Sequence, residues 1–205
     1  MTNTNKKAIR QHIRKRAATE KRKRIIITTI IALSVVIAVY YLIRNNQNYS
    51  TEGLIIPEGL LTENINGTVI GEDSAPIKVL EFSQYTCSHC ANFALNYEKY
   101  FIEGFVETGE VQWEFIPASF SDHFMRQVEK ANYCALEQDH FYEFRDIVFA
   151  NQSNAAFPLS RKASYFSFAT ALGLNLDAFK ECVNSNRYRD KTNENYDLVN
   201  QFEVT

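Results

Sequence analysis

The chain has 205 residues, 45% of them hydrophobic, with 22 basic and 24 acidic side chains and a formal net charge of −2. This near balance hides an asymmetry, because residues 1–24 hold ten basic residues against the single acid Glu20, while residues 45–205 hold 11 basic and 23 acidic residues. A net charge of −12 over 45–205 excludes nucleic-acid binding by that part.

The basic run 1–24, which includes Arg14-Lys15-Arg16 and Lys21-Arg22-Lys23-Arg24, leads directly into an uncharged segment at 25–43. Nineteen residues at helical rise span about 28 Å, against a hydrocarbon core of about 30 Å. Tyr40 and Tyr41 fall near its far end, where amphipathic rings favour a membrane interface. Positive charge on the N-terminal flank predicts a cytoplasmic tail at 1–24, an anchor at 25–43 and an extracytoplasmic remainder. The competing readings are a cleaved signal peptide and a buried core helix. The run is longer than a signal-peptide core, and Tyr40-Tyr41-Leu42-Ile43-Arg44-Asn45 offers no small-x-small cleavage site.

Residues 44–64 lack sustained periodicity and read as a linker, and 65–205 are enough for one domain with its own core. No internal repeat or low-complexity stretch interrupts it. Residues 68–70 predict a short strand, closed by the turn signals of 71–76. Residues 77–83 predict a central buried strand, apolar on both faces. A helix is expected from Cys90 to about Glu107, ended by Gly109, then a strand over 111–116 stopped by Pro117. From Asp122 the pattern turns helical, with Asp122 and Ser160 as N-caps, Gly173 just past a helix end, Asp177 opening another helix and a last helix over about 186–201. Phe141, Phe144, Val148 and Phe149, like Tyr165, Phe166, Phe168 and Ala169, recur at helical spacing and read as core.

Between the second strand and the first helix stands Cys87-Ser88-His89-Cys90. Two thiols on one helical turn can alternate between dithiol and disulfide. At a helix N-terminus the first sulfur meets unpaired backbone N–H groups and the positive end of the dipole, which favours the thiolate. The thiolate is the attacking species in thiol–disulfide exchange, and His89, as donor or cation, favours it further. Half of a zinc site has the same spacing, but tetrahedral zinc needs four ligands and no second C-x-x-C or H-x₃-H follows.

Across Val79-Leu80-Glu81-Phe82-Ser83-Gln84-Tyr85-Thr86-Cys87-Ser88-His89-Cys90 the chain closely resembles the DsbA-like thiol:disulfide oxidoreductases. The stretch Ala131-x-x-Cys134-Ala135-x-x-Gln138-x-x-Phe141, on to Ala150-Asn151-Gln152, resembles that family's inserted helical domain. The resemblance implies an α/β thioredoxin-like fold over 65–205, with a helical insertion at about 122–187, preceded by one transmembrane helix. It implies Cys87 as the exposed nucleophile, Cys90 as the buried resolving cysteine and His89 as the thiolate-stabilising histidine. It also implies Glu81 as the buried proton acceptor beneath the pair. A carboxylate among Val79, Leu80 and Phe82 on a buried strand is expected to have a raised pKa, the alternative being a solvated glutamate at a strand edge.

Ser88 stands where many relatives have proline, which leaves the oxidising power open. The sequence stops at Phe202-Glu203-Val204-Thr205, where relatives continue into a proline loop, a hairpin and a final helix. The expectation is therefore an incomplete domain, a sheet of about three strands and a strand at 77–83 left open on one side.

The function implied is introduction of disulfides into secreted or surface proteins through Cys87 and Cys90. The implied partners are thiol-containing substrates and a membrane quinone-linked reoxidase, with no cofactor. A reductase or isomerase, and a non-catalytic tethered binding or metal-handling module, are the alternatives. Cys134 and Cys182 read either as buried free thiols or as a structural bridge, the latter favoured by an even cysteine count in an oxidising compartment. His123 and His140 read as surface or packing residues. Asn48, Asn66 and Asn151 open N-x-Ser/Thr triplets too short to carry weight.

Overall fold

The computed structural model describes residues 3–45, 49–58, 65–118 and 125–204. The Asp122 cap and His123 lie outside the described residues. Contacts divide the chain into two units, residues 1–48 and 49–205.

The first unit contains one helix, α1 (Asn3–Asn45). Within it Thr19–Leu42 has a mean hydropathy of 2.6 and none of it is buried, so it is long and apolar enough to cross a membrane.

In chain order the second unit has β1 (Ile65–Asn66), β2 (Val69–Ile70), β3 (Ile77–Ser83), α2 (Ser88–Asn96), α3 (Glu98–Phe101), a π-turn at Ile102–Val106 and β4 (Val111–Pro117). There follow α4 (Met125–Leu136), α5 (Phe141–Ala150), α6 (Lys162–Ala171), α7 (Leu176–Asn184) and α8 (Arg189–Gln201). The strands form one sheet in the order β1-β2-β4-β3. β3 and β4 run parallel, from Ile77 opposite Val111 to Ser83 opposite Pro117, with α2, α3 and the π-turn as their crossover.

Four strands rather than three arise because Gly67, at φ +69°, turns the chain tightly enough for Ile65 to face Ile70. The strand at 77–83 is not central. β4 is, flanked by β2 and β3, and Phe115 at its middle is fully buried. Among the described residues β3 is an edge strand, as β1 is on the other side, and it is open on one side as expected, with Ile77 and Leu80 exposed.

The helix expected from Cys90 to Glu107 begins earlier, at Ser88, and is broken at Tyr97, whose φ of −123° leaves the helical region. The break is followed by Glu98, which lies wholly inside the protein. In the π-turn that follows, Ile102 and Val106 both meet the core.

Residues 125–184 form the helical insertion. The two predicted aromatic stripes are buried in it, Phe144 packing against Phe168 and Phe179. Gly173, at φ +72°, ends α6 as expected, with its N–H on the Thr170 carbonyl and that of Leu174 on Ala169. The caps differ from expectation. Arg161 rather than Ser160 precedes α6, while Asn175 caps α7 by accepting from the Ala178 N–H, leaving Asp177 in the first turn beside the positive helix end. α8 starts at Arg189, three residues late. It is tied to the sheet by Asn195, which donates to the Pro117 carbonyl at 2.9 Å and the Tyr133 hydroxyl at 2.8 Å.

Candidate active site

The strand that carries Glu81 delivers the chain to the cysteines through a pinned turn. Tyr85, 1% exposed, packs its ring at a tilt against Phe115 and Phe149, and its hydroxyl accepts from Asn132 of α4 at 2.6 Å. The Cys87 N–H then closes on the Gln84 carbonyl at 3.0 Å. These contacts fix where α2 begins.

Cys87 is the N-cap of α2, and its sulfur accepts the Cys90 N–H at 3.3 Å. Both cysteines are free thiols and partly buried, Cys90 the more deeply set. Their acidities diverge. Burial opposes ionisation of Cys87, but the Cys90 thiol and the backbone N–H groups of Cys90 and His89 outweigh it and hold Cys87 below the ordinary thiol range. Burial pushes Cys90 up, and the neighbouring Cys87 pushes it further. The His89 side chain is exposed, and what reaches the sulfur is its backbone N–H.

Side chains alternate along a strand, so Val79, Glu81 and Ser83 share the face on which Trp113 and Phe115 stand, their register partners being Trp113, Phe115 and Pro117. This face lies beneath α2 and α5, with Trp113 against Phe93 and Phe101, and Phe115 against Tyr142 and Phe149. Oε2 of Glu81 is buried there without a hydrogen-bond partner. Burial raises the Glu81 carboxyl to about 7, against the pull of Arg145 and with the push of Glu98 and Asp146. Ser83, 1% exposed, faces both groups, and its hydroxyl favours the charged form of Glu81 and of Cys90 alike.

The fold therefore brings Cys87, Cys90 and Glu81 to one end of β3 and sets a second pair apart. Cys134 of α4 and Cys182 of α7 form a disulfide with Cα atoms 5.8 Å apart. His140 precedes α5, where its ring meets the Gln138 carbonyl.

Four site residues escaped the sequence reading. Ser83 was signalled by its place two residues after Glu81 on one strand face. Arg145 and Asp146 lie inside the aromatic stripe of α5, and Glu98 falls between the core residues Ala94 and Ile102. A charge at a core position of an amphipathic helix is the signal that finds such residues.

What this arrangement can do follows from the two acidities. An acidic sulfur at a helix N-terminus attacks disulfides. A protonated partner one turn on needs a base before it can attack in turn, and Glu81 is a buried carboxyl within the same site.

A thioredoxin family model matches residues 63–205. The chain is 28% identical over 86 residues to disulfide bond formation protein D of Bacillus subtilis, covering 41% of this chain and 39% of that protein. It is 25% identical over 139 residues to Na(+)/H(+) antiporter NhaA 3 of Salinispora tropica, covering 67% of this chain and 20% of that one. The chain thus spans well under half the length of the curated relatives it matches. The crystal structure of Wolbachia pipientis alpha-DsbA1 superposes with a TM-score of 0.57 at 25% identity, over 76% of each chain.

Proposed function

Because the chain belongs to the thioredoxin family, we propose that it is a membrane-anchored, DsbA-like thiol–disulfide oxidoreductase that introduces disulfides into proteins outside the cytoplasm. The observation that carries this reading is the opposed acidity of Cys87 and Cys90 above the buried Glu81. Stabilising the Cys87 thiolate stabilises the reduced protein, and a dithiol stabilised in that way makes its disulfide a stronger oxidant.

In the oxidising direction a substrate thiolate attacks Cys87 of the Cys87–Cys90 disulfide. The bond between the cysteines breaks, Cys90 leaves as a thiolate, and the Glu81 carboxyl supplies its proton. A second substrate thiolate then attacks the substrate sulfur of the mixed disulfide, releasing oxidised substrate and the Cys87 thiolate. When Cys90 attacks the mixed disulfide instead, Glu81 takes the proton back. The resting dithiol is reoxidised by a quinone-linked membrane partner, in line with the anchor.

The basic tail at 1–24 supports a cytoplasmic N-terminus, an anchor at 25–43, a linker at 44–64 and a catalytic domain at 65–205 on the far side. The bridged second cysteine pair supports an oxidising compartment.

The test is the reduction potential of the Cys87–Cys90 couple together with oxidation of a reduced, unfolded protein by stoichiometric oxidised chain. A potential near the DsbA value of about −120 mV supports the oxidase. A value near the thioredoxin figure of about −270 mV overturns it in favour of a reductase.

A further inference from the structure

Arg145 is wholly buried on α5, and three carboxylates surround it. Its two terminal nitrogens donate in parallel to Glu98 of α3 at 2.7 and 2.5 Å, and its Nε donates to Asp146 at 2.7 Å. The guanidinium lies 4.9 Å from the centre of the Phe115 ring and 4.5 Å from that of Tyr142. Phe115 is the register partner of Glu81 on the parallel strand, so the two side chains leave the same face and Glu81 comes up beside the cation.

The charges do not balance. One guanidinium faces Glu98, Asp146 and Glu81, and buried like charges cannot all ionise without a steep cost. A proton must sit on one carboxyl near neutrality, and hydrogen bonding decides which. Glu98 holds two charged donors and Asp146 one, while Glu81 has the neutral Ser83 hydroxyl and no donor on Oε2. Burial lifts the Asp146 carboxyl as well, to about 6, which is below the value of about 7 for Glu81. Tyr142 of α5 and Ser83 of β3 also face Glu81, the first too weakly acidic to ionise in this range and the second a neutral donor.

We propose that the Arg145–Glu98–Asp146 cluster positions the transferable proton on Glu81, so that a helix of the inserted subdomain sets the pH range in which Cys90 resolves a mixed disulfide. This rests on the oxidoreductase reading above. Arg145 and Asp146 touch no reacting atom and act through Glu81 alone. In the step concerned, Glu81 takes the proton of the Cys90 thiol and the Cys90 sulfur attacks Cys87. The Cys87–Cys90 bond forms, the bond from Cys87 to its partner sulfur breaks, and the partner leaves as a thiolate that is protonated by water.

The test uses the full chain in detergent micelles with Cys87 in mixed disulfide with glutathione, following glutathione release against pH. Asp146→Asn keeps the Arg145–Glu98 pair and removes one negative charge. It is expected to lower the midpoint of the profile by about one pH unit. Arg145→Gln removes the cation and is expected to raise it. A uniform loss of rate with an unmoved midpoint in Asp146→Asn overturns the proposal, and that variant decides alone if Arg145→Gln fails to fold. Should Cys87 form no mixed disulfide with glutathione, the oxidoreductase reading fails instead. Carboxyl NMR titration of Glu81 in the same variants then decides the cluster's role, a fall in the Asp146→Asn midpoint supporting it and an unchanged one overturning it.

Discussion

Cys87 caps the helix that carries Cys90, its sulfur accepting the Cys90 N–H at 3.3 Å. This hydrogen bond ties the Cys87 sulfur to the backbone of Cys90. Because it favours the anion at Cys87, the pair is unequal before any substrate arrives.

That inequality predicts the order of alkylation. Iodoacetamide added to the reduced chain modifies Cys87 first, and at a pH below that of an ordinary thiol. Peptide mapping after brief exposure across a pH series reads this directly. Earlier modification of Cys90 would reverse the assigned roles.

Removing either thiol separates the two half-reactions. Cys87→Ser is expected to abolish exchange altogether, since the attacking sulfur is gone. Cys90→Ser leaves attack intact and accumulates mixed disulfides, visible as thiol-sensitive adducts on non-reducing gels. An absence of adducts in cells that supply substrates would count against the proposed activity.

Glu81 predicts both a kinetic and a stability effect. Glu81→Gln slows resolution by Cys90 and spares first attack by Cys87, a split that stopped-flow measurement of the two phases resolves. The carboxyl rises from 4.5 in the unfolded chain to about 7 in the fold. Its contribution to stability is therefore complete below pH 4.5 and is lost as the pH climbs through 7. At pH 8 the buried anion destabilises the wild type, and Glu81→Gln is expected to be more stable there by roughly 2–3 kcal/mol, with little difference at pH 4. Urea melts of both proteins at the two pH values measure it.

The second cysteine pair predicts stability without chemistry. Cys134→Ala with Cys182→Ala opens a bridge across 48 residues of sequence between α4 and α7. The expected loss is about 2–4 kcal/mol, with the alkylation rate of Cys87 unchanged. An equal loss of reactivity would mean that the bridge also shapes the active-site turn.

The sequence by itself determined the features written in neighbouring residues. The apolar segment after a basic tail, the strand–turn–helix around Cys87 and Cys90, the placement of Glu81 two residues before the end of its strand and the aromatic faces of α5 and α6 follow from periodicity and capping, which act over a few residues. The tertiary structure alone decided what depends on residues far apart. It paired β1 with β2 through the turn at Gly67 and set β2 on β4, which gives the sheet its fourth strand. It joined Cys134 to Cys182 across two helices. It also closed Arg145 onto Glu98, 47 residues away, beside the Glu81 carboxyl. Burial and charge at that point are sums over three separate elements, and so is the proton affinity they impose.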